Sequence, residues 1–104
     1  MALQIDKTDR ECGILLKLSG EVDLYTSPQF RETVIKAMKA QPWVAVDLSG
    51  VGYMDSSGVA TLVEGLKAAA EQQKIFVLIA PSNPVMKVLQ LARLDSVFTI
   101  QQQP

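Results

Sequence analysis

The sequence predicts a single α/β domain over residues 1–104, a mixed β-sheet of about four to five strands with helices alternating in a β-β-α-β-α-β-α-β order. Three observations predict it. Two apolar runs of strand length, Trp43–Leu48 and Ile75–Ala80, read as central strands covered on their faces. Segments between and after them repeat apolar residues at helical spacing, so strands alternate with helices and want parallel pairing through right-handed crossovers. Finally, 104 residues at 48% apolar composition hold one ordinary core, with no room for a second.

Each element has a local reason. Ala2–Thr8 carries Leu3 and Ile5 two apart and reads as an edge strand. Asp9-Arg10-Glu11 is polar and suits a hairpin turn. Cys12–Ser19, with Ile14, Leu16 and Leu18 on one face, reads as the antiparallel return strand, closed by Gly20. Ser27-Pro28 is a helix start, with Ser as cap and Pro at the first helical position. Phe30, Val34, Ile35 and Met38 follow as one stripe, and the helix should stop before Pro42. After Trp43–Leu48 comes Asp55-Ser56-Ser57-Gly58, and a helix pattern starts at once with Val59, Leu62, Val63 and Leu66. Ala68-Ala69-Ala70 carries it toward Gln73. Ile75–Ala80 leads into a second cap-and-proline signal, Pro81-Ser82-Asn83-Pro84, and Val85, Val88, Leu89 and Ala92 mark a third helix. Val97–Ile100 reads as a last short strand, with Gln101–Pro104 a frayed tail.

Composition removes several function classes. Ten basic residues against eleven acidic ones give a net charge of −1, without the basic excess of a nucleic-acid surface or a polybasic membrane tether. The chain has no histidine, so the commonest general base, the Ser-His-Asp triad and most transition-metal sites are missing. One cysteine, Cys12, makes no disulfide framework and reads as a small strand residue in a reducing compartment. No run of about 18 apolar residues spans a bilayer, and Met1–Asp9 lacks the form of a signal peptide. A cytoplasmic protein without cofactor or metal is expected. Gly-x-Ser-x-Gly, Ser-x-x-Lys and Gly-Lys-Ser/Thr patterns are absent, and Gly50-x-Gly52 misses the dinucleotide fingerprint. Intrinsic catalysis is not expected.

Two constellations stand out. Asp55-Ser56-Ser57-Gly58 sits where a strand hands over to a helix, beside unpaired backbone N–H groups that favour negative charge. A serine there suits a switch read by another protein. Residue type alone equally allows Asp55 or Ser56 to be a simple helix cap with Gly58 easing the turn. Gly20-Glu21-Val22-Asp23, followed by Tyr25-Thr26-Ser27, places Asp23 on a loop between strand and helix. Asp47 interrupts an apolar strand and suits a wet sheet end.

Leu18-Ser19-Gly20-Glu21-Val22-Asp23, Val46-Asp47-Leu48-Ser49-Gly50-Val51 and Met54-Asp55-Ser56-Ser57-Gly58, in register with this element order, resemble the STAS domain family over the whole chain. The resemblance is greatest to its stand-alone bacterial anti-sigma factor antagonists. It implies that Ser56 is phosphorylated by a partner that is both anti-sigma factor and serine kinase of the ATPase-fold type. It further implies that Asp23, Asp55, Ser56, Ser57 and Gly58 form the partner-binding region. The unphosphorylated protein would bind the anti-sigma factor, phosphorylation would release it, and a PP2C-type phosphatase would reset it. An adaptor STAS subunit of a transporter or other complex, without phosphorylation, is the alternative. Nucleotide binding has been suggested for some family members, but no motif here demands it. Two departures from the family pattern are visible: Ala92-Arg93-Leu94-Asp95 where a glycine often precedes the final strand, and Leu24-Tyr25 where close relatives carry a more polar pair. With no long apolar surface stripe in the sequence, the free chain is expected to be monomeric.

Overall fold

The computed structural model describes residues 2–102. Eight elements follow in the expected order: β1 (Leu3–Arg10), β2 (Gly13–Val22), α1 (Ser27–Ala40), β3 (Trp43–Met54), α2 (Ser56–Gln72), β4 (Ile75–Ile79), α3 (Asn83–Leu91) and β5 (Thr99–Gln101). They build one five-stranded sheet in the order β1-β2-β3-β4-β5. β1 runs antiparallel to β2, and every later pairing is parallel.

The main core lies between the sheet and the three helices. Phe30, Val34 and Met38 of α1, Val59 and Leu62 of α2, and Val85 and Leu89 of α3 all join one cluster. It also holds Ile14, Leu16 and Leu18 of β2, Val44, Val46 and Leu48 of β3, and Phe76 and Leu78 of β4. Most of these large side chains are wholly inaccessible, and each contributes about 1.5–3 kcal/mol on burial. The helix stripes read from spacing are therefore the faces that fold inward.

Several boundaries move. Pairing continues to Arg10–Gly13, so the hairpin turn is Glu11-Cys12, not Asp9-Arg10-Glu11. Cys12 is exposed in that turn with φ 62°, rather than lying in a strand. Gly20 does not close β2, which runs on to Val22. It instead takes φ 110°, and a Cβ there would fall 2.3 Å from the Ala2 carbonyl oxygen, so only glycine lets β1 pass. β3 extends six residues past Leu48. Its pairing with β2 slips once opposite Leu18 and again near Gly52, and these bulges put Leu48, Val51 and Met54 on the core side at intervals of three.

Ser27 is not the cap of α1. Thr26 holds that position without a side-chain capping bond, and Ser27 is the first helical residue. At α3 the expected cap holds, with Ser82 Oγ accepting the Val85 N–H at 3.5 Å. The last helix ends on Arg93, which takes the left-handed conformation (φ 60°) that a glycine would adopt without cost, while Leu94 N–H reaches the Leu89 carbonyl at 2.8 Å. The final strand starts at Thr99 and includes Gln101, two residues later than Val97–Ile100 begins. The expected frayed tail at Gln103 and Pro104 lies outside the described residues.

Candidate functional site

Asp23 and Asp55 are neighbours because their strands are. Val22 and Met54 are the last paired residues of β2 and β3, and each aspartate follows at once. The Asp55 N–H donates to the Val22 carbonyl at 3.1 Å, locking the two strand ends together. The aspartate backbones therefore sit about one strand spacing (~5 Å) apart, at the edge where α1 and α2 begin.

Asp55 caps α2. In extended conformation, its Oδ1 accepts the Ser57 N–H at 2.9 Å and the Ser57 hydroxyl at 2.5 Å, while its carbonyl accepts from Gly58 and Val59 at 3.1 and 3.2 Å. The two serines thus part roles. Ser57 is half-buried with its hydroxyl engaged by Asp55. Ser56 is exposed at the first helical position, and among the described residues its Oγ makes no hydrogen bond. Of the two hydroxyls, only that of Ser56 is both exposed and free of hydrogen bonds among the described residues.

Gly58 serves from beneath. It is buried, and a Cβ on it would stand 2.7 Å from both Met54 Cγ and Val22 Cγ1. It does not ease the turn: its backbone lies outside the left-handed region. Its missing side chain lets the first turn of α2 press against the ends of β2 and β3, which fixes where Ser56 stands.

Asp23 organises the loop before α1. Its Oδ1 accepts the Tyr25 and Thr26 N–H groups at 2.9 and 3.0 Å, with the Thr26 hydroxyl at 3.2 Å. That hydroxyl also reaches the Glu21 carbonyl and accepts from the Asp23 N–H, each at 2.9 Å. Having one proton, it serves either Glu21 or Asp23 at a given moment. The Thr26 N–H holds the Asp23 carboxyl below its ordinary value; partial desolvation opposes this, and the Tyr25 N–H and Thr26 hydroxyl add to it. Both aspartate side chains are therefore held in place through Oδ1, and among the described residues neither Oδ2 accepts a hydrogen bond. Asp47 lies elsewhere, buried midway along β3, where its Oδ1 accepts the Ser49 N–H and hydroxyl. It is not at the wet sheet end that its position suggested. Among the described residues no group of three His, Cys, Asp or Glu side chains is placed to hold a metal ion.

The structure adds residues that spacing did not single out. Tyr25 (89% exposed), Leu24 (71%) and Tyr53 (48%) rim the aspartate pair, Tyr53 lying opposite Glu21 in the β2–β3 ladder. Large exposed apolar side chains beside fixed charges are the composition of an interface centre. Leu24-Tyr25 is visible in the sequence as a departure from the family's more polar pair, whereas Tyr53 falls in a stretch that does not read as strand.

Solved structures share this fold. An anti-sigma factor antagonist from Mycobacterium paratuberculosis superposes with a TM-score of 0.88 at 20% identity, covering 98% of this chain and 87% of that one. The anti-sigma factor antagonist SpoIIAA in its unphosphorylated form matches at 0.77 and 26% identity, covering 95% and 87%. Fold and site together define a single-sheet α/β domain with an aspartate pair and an exposed serine at the C-terminal ends of its adjoining strands β2 and β3. More particularly, residues 4–101 match the family described as "Mlab, STAS domain", and the chain belongs to the STAS domain family. Among its relatives is the anti-sigma-B factor antagonist of Listeria monocytogenes, 27% identical over 97% of this chain and 90% of that protein. The protein of the same description from Staphylococcus aureus is 28% identical over 98% and 95%. No helix among the described residues is long and apolar enough to cross a membrane.

Proposed function

We propose that this chain is an anti-sigma factor antagonist whose Asp23–Asp55–Ser56 end binds an anti-sigma factor of the ATPase-fold kinase type, and which that partner releases by phosphorylating Ser56. The observation that carries the reading is the division of labour between the serines, Ser56 exposed and unbonded, Ser57 held by Asp55. Whole-length similarity to anti-sigma-B factor antagonists supports the same role.

The direction of the switch follows from charge. A phosphate adds about −1.5 to −2 charges at neutral pH. At the N-terminus of α2 the backbone N–H groups favour it by about 0.3–1 kcal/mol. Inside a contact, beside Asp55 and Asp23, it meets two fixed carboxylates in a medium that screens poorly. A penalty of about 3 kcal/mol lowers affinity more than a hundredfold. No rearrangement of the fold is needed. A PP2C-type phosphatase resets the cycle, and Tyr25, Leu24 and Tyr53 supply the apolar part of the contact.

The test is incubation with a cognate ATPase-fold kinase and ATP, with mass-spectrometric mapping of the phosphate. Phosphate on Ser56, absent from Ser56→Ala and retained by Ser57→Ala, is expected. Ser56→Asp is expected to bind the kinase at least tenfold more weakly. A wild-type chain that gains no phosphate while binding its partner stably turns the assignment toward a constitutive adaptor subunit.

A further inference from the structure

The sheet has a second face. Side chains at Leu15, Ala45, Val77 and Ile79 form a separate apolar cluster with Trp43, and no helical residue belongs to it. These residues alternate with the core-facing ones, so they point away from all three helices. They floor a shallow trough of about 540 Å³, walled by Trp43, Ile75, Arg10 and Gln101. Ile75 is 59% exposed. The apolar runs Trp43–Leu48 and Ile75–Ala80 predict strands covered on their faces; helices cover only one face of each. Leu15, Ala45, Val77 and Ile79 are themselves only 4–9% exposed, so the accessible apolar part of this face is carried by Ile75 and the half-buried Trp43.

The register arranges this face in three rows across the strands. The first runs Arg10, Gly13, Trp43, Ile75. The middle row is Thr8, Leu15, Ala45, Val77, Thr99. The third is Asp6, Lys17, Asp47, Ile79, Gln101. A twofold axis lying along the middle row turns the first row onto the third. Arg10 then faces the partner's Asp6, the Trp43 indole N–H faces the partner's Asp47, and Ile75 faces the partner's Ile79. Glu11, in the adjoining turn, comes toward the partner's Lys17. Leu15, Ala45 and Val77 meet their own counterparts. Two polar pairs thereby match across the outer rows, Arg10 with Asp6 and the Trp43 indole N–H with Asp47, and the apolar Ile75 and Ile79 meet, while Lys17 falls opposite Gly13 and Gln101 has no counterpart in the first row. Isologous contacts require this self-complementarity.

We propose that the helix-free face of the sheet pairs two copies of this chain about that twofold axis, as face-to-face sheets packed with strands antiparallel across the interface. Ile75 is the side chain that projects toward the partner's trough, while the Trp43 ring lies across Gly13 and walls the trough beside it. Aligned sheet packing at about 10 Å is the common geometry for such faces. The arrangement is independent of the Asp23–Asp55–Ser56 end, which lies past the C-terminal ends of β2 and β3 while the pairing surface is the flat face of the sheet, so a kinase can reach the one with the other covered.

Sedimentation equilibrium of the full chain, followed by emission of its single tryptophan, tests this. The weight-average mass is expected to rise from 11.4 kDa toward twice that value as concentration increases, with a parallel blue shift of Trp43 emission. Arg10→Asp places like charges against the partner's Asp6 and is expected to raise the dissociation constant at least tenfold. Adding Asp6→Arg to it restores the pairing with reversed sign and should recover most of that loss. Ile75→Asp, at an exposed position, should leave the chain folded and monomeric. Three results overturn the proposal: wild type monomeric throughout, a dimer unaffected by Ile75→Asp or Arg10→Asp, or no recovery in the double variant. A wild-type monomer whose Trp43 emission shifts only on adding an amphiphile such as a long-chain fatty acid likewise overturns it, in favour of a ligand trough.

Discussion

Gly58→Ala tests whether close packing, and not turn geometry, explains the glycine of the switch. The added Cβ would stand 2.7 Å from Met54 Cγ and 2.7 Å from Val22 Cγ1, about 0.7 Å inside the 3.4 Å of ordinary contact. Methionine can rotate aside. Val22 is wholly buried and β-branched, and cannot. Overpacking of this kind costs about 1–3 kcal/mol, and the better helix propensity of alanine offsets about 1 kcal/mol of it. A net loss of about 1 kcal/mol is expected, lowering Tm by about 4–8 °C in a domain of this size. Gly52→Ala is the control, since its Cβ meets nothing within 4 Å, and it should match or exceed wild type. Circular-dichroism melts and urea titrations read both. In a Val22→Ala background the cost of Gly58→Ala should vanish, a coupling of about 1–2 kcal/mol. The reasoning is refuted if Gly58→Ala is as stable as wild type, or if its cost persists without the Val22 methyl groups. Because Ser56 lies two residues earlier in the same turn, Gly58→Ala should also slow its phosphorylation.

Asp55→Asn keeps a good capping side chain but removes the charge. Stability should change by no more than about 0.5 kcal/mol, against about 1 kcal/mol lost in Asp55→Ala, while the affinity penalty of Ser56→Asp measured by titration calorimetry should shrink. Asp23 makes its loop acid-sensitive with a defined sign. Its carboxyl is held below the ordinary 3.8, so its contribution is complete above that pH and is lost as pH falls through the lower folded value. Amide signals of Tyr25 and Thr26 should move with a midpoint below 3.8, and Asp23→Asn should abolish that transition. Arg93→Gly removes a left-handed strain at the end of α3 (φ 60°) and should raise stability by about 1 kcal/mol, visible as a higher melting temperature.

What was legible in the sequence was whatever is local. Val59, Leu62, Val63 and Leu66 show a helix by spacing alone, and Ser82-Asn83-Pro84 shows a cap because the capping bond closes within four residues. The neighbouring signal at Ser27-Pro28 misleads by one residue, since Thr26 is drawn into the Asp23 loop by partners that the spacing does not reveal. The second half of β3 is not legible for a related reason. Leu48, Val51 and Met54 recur every three residues, which fits neither period, and only bulges against β2 make that spacing a one-sided strand. Asp55-Ser56-Ser57-Gly58 is readable as a strand-to-helix junction. The difference between its serines is not, because it depends on which hydroxyl points at the Asp55 carboxylate.

By itself, then, the sequence determined the class of fold, the element order and the strand-to-helix junction at Asp55-Ser56-Ser57-Gly58, all of which follow from periodicity and capping within short windows. The tertiary structure alone decided the order of strands in the sheet. With β2 to β5 added in one direction, successive right-handed crossovers bring all three helices to the same face. That leaves Leu15, Ala45, Val77 and Ile79 apolar yet without a helix above them. It also sets Asp23 beside Asp55, thirty-two residues apart in the chain, because β2 and β3 end together.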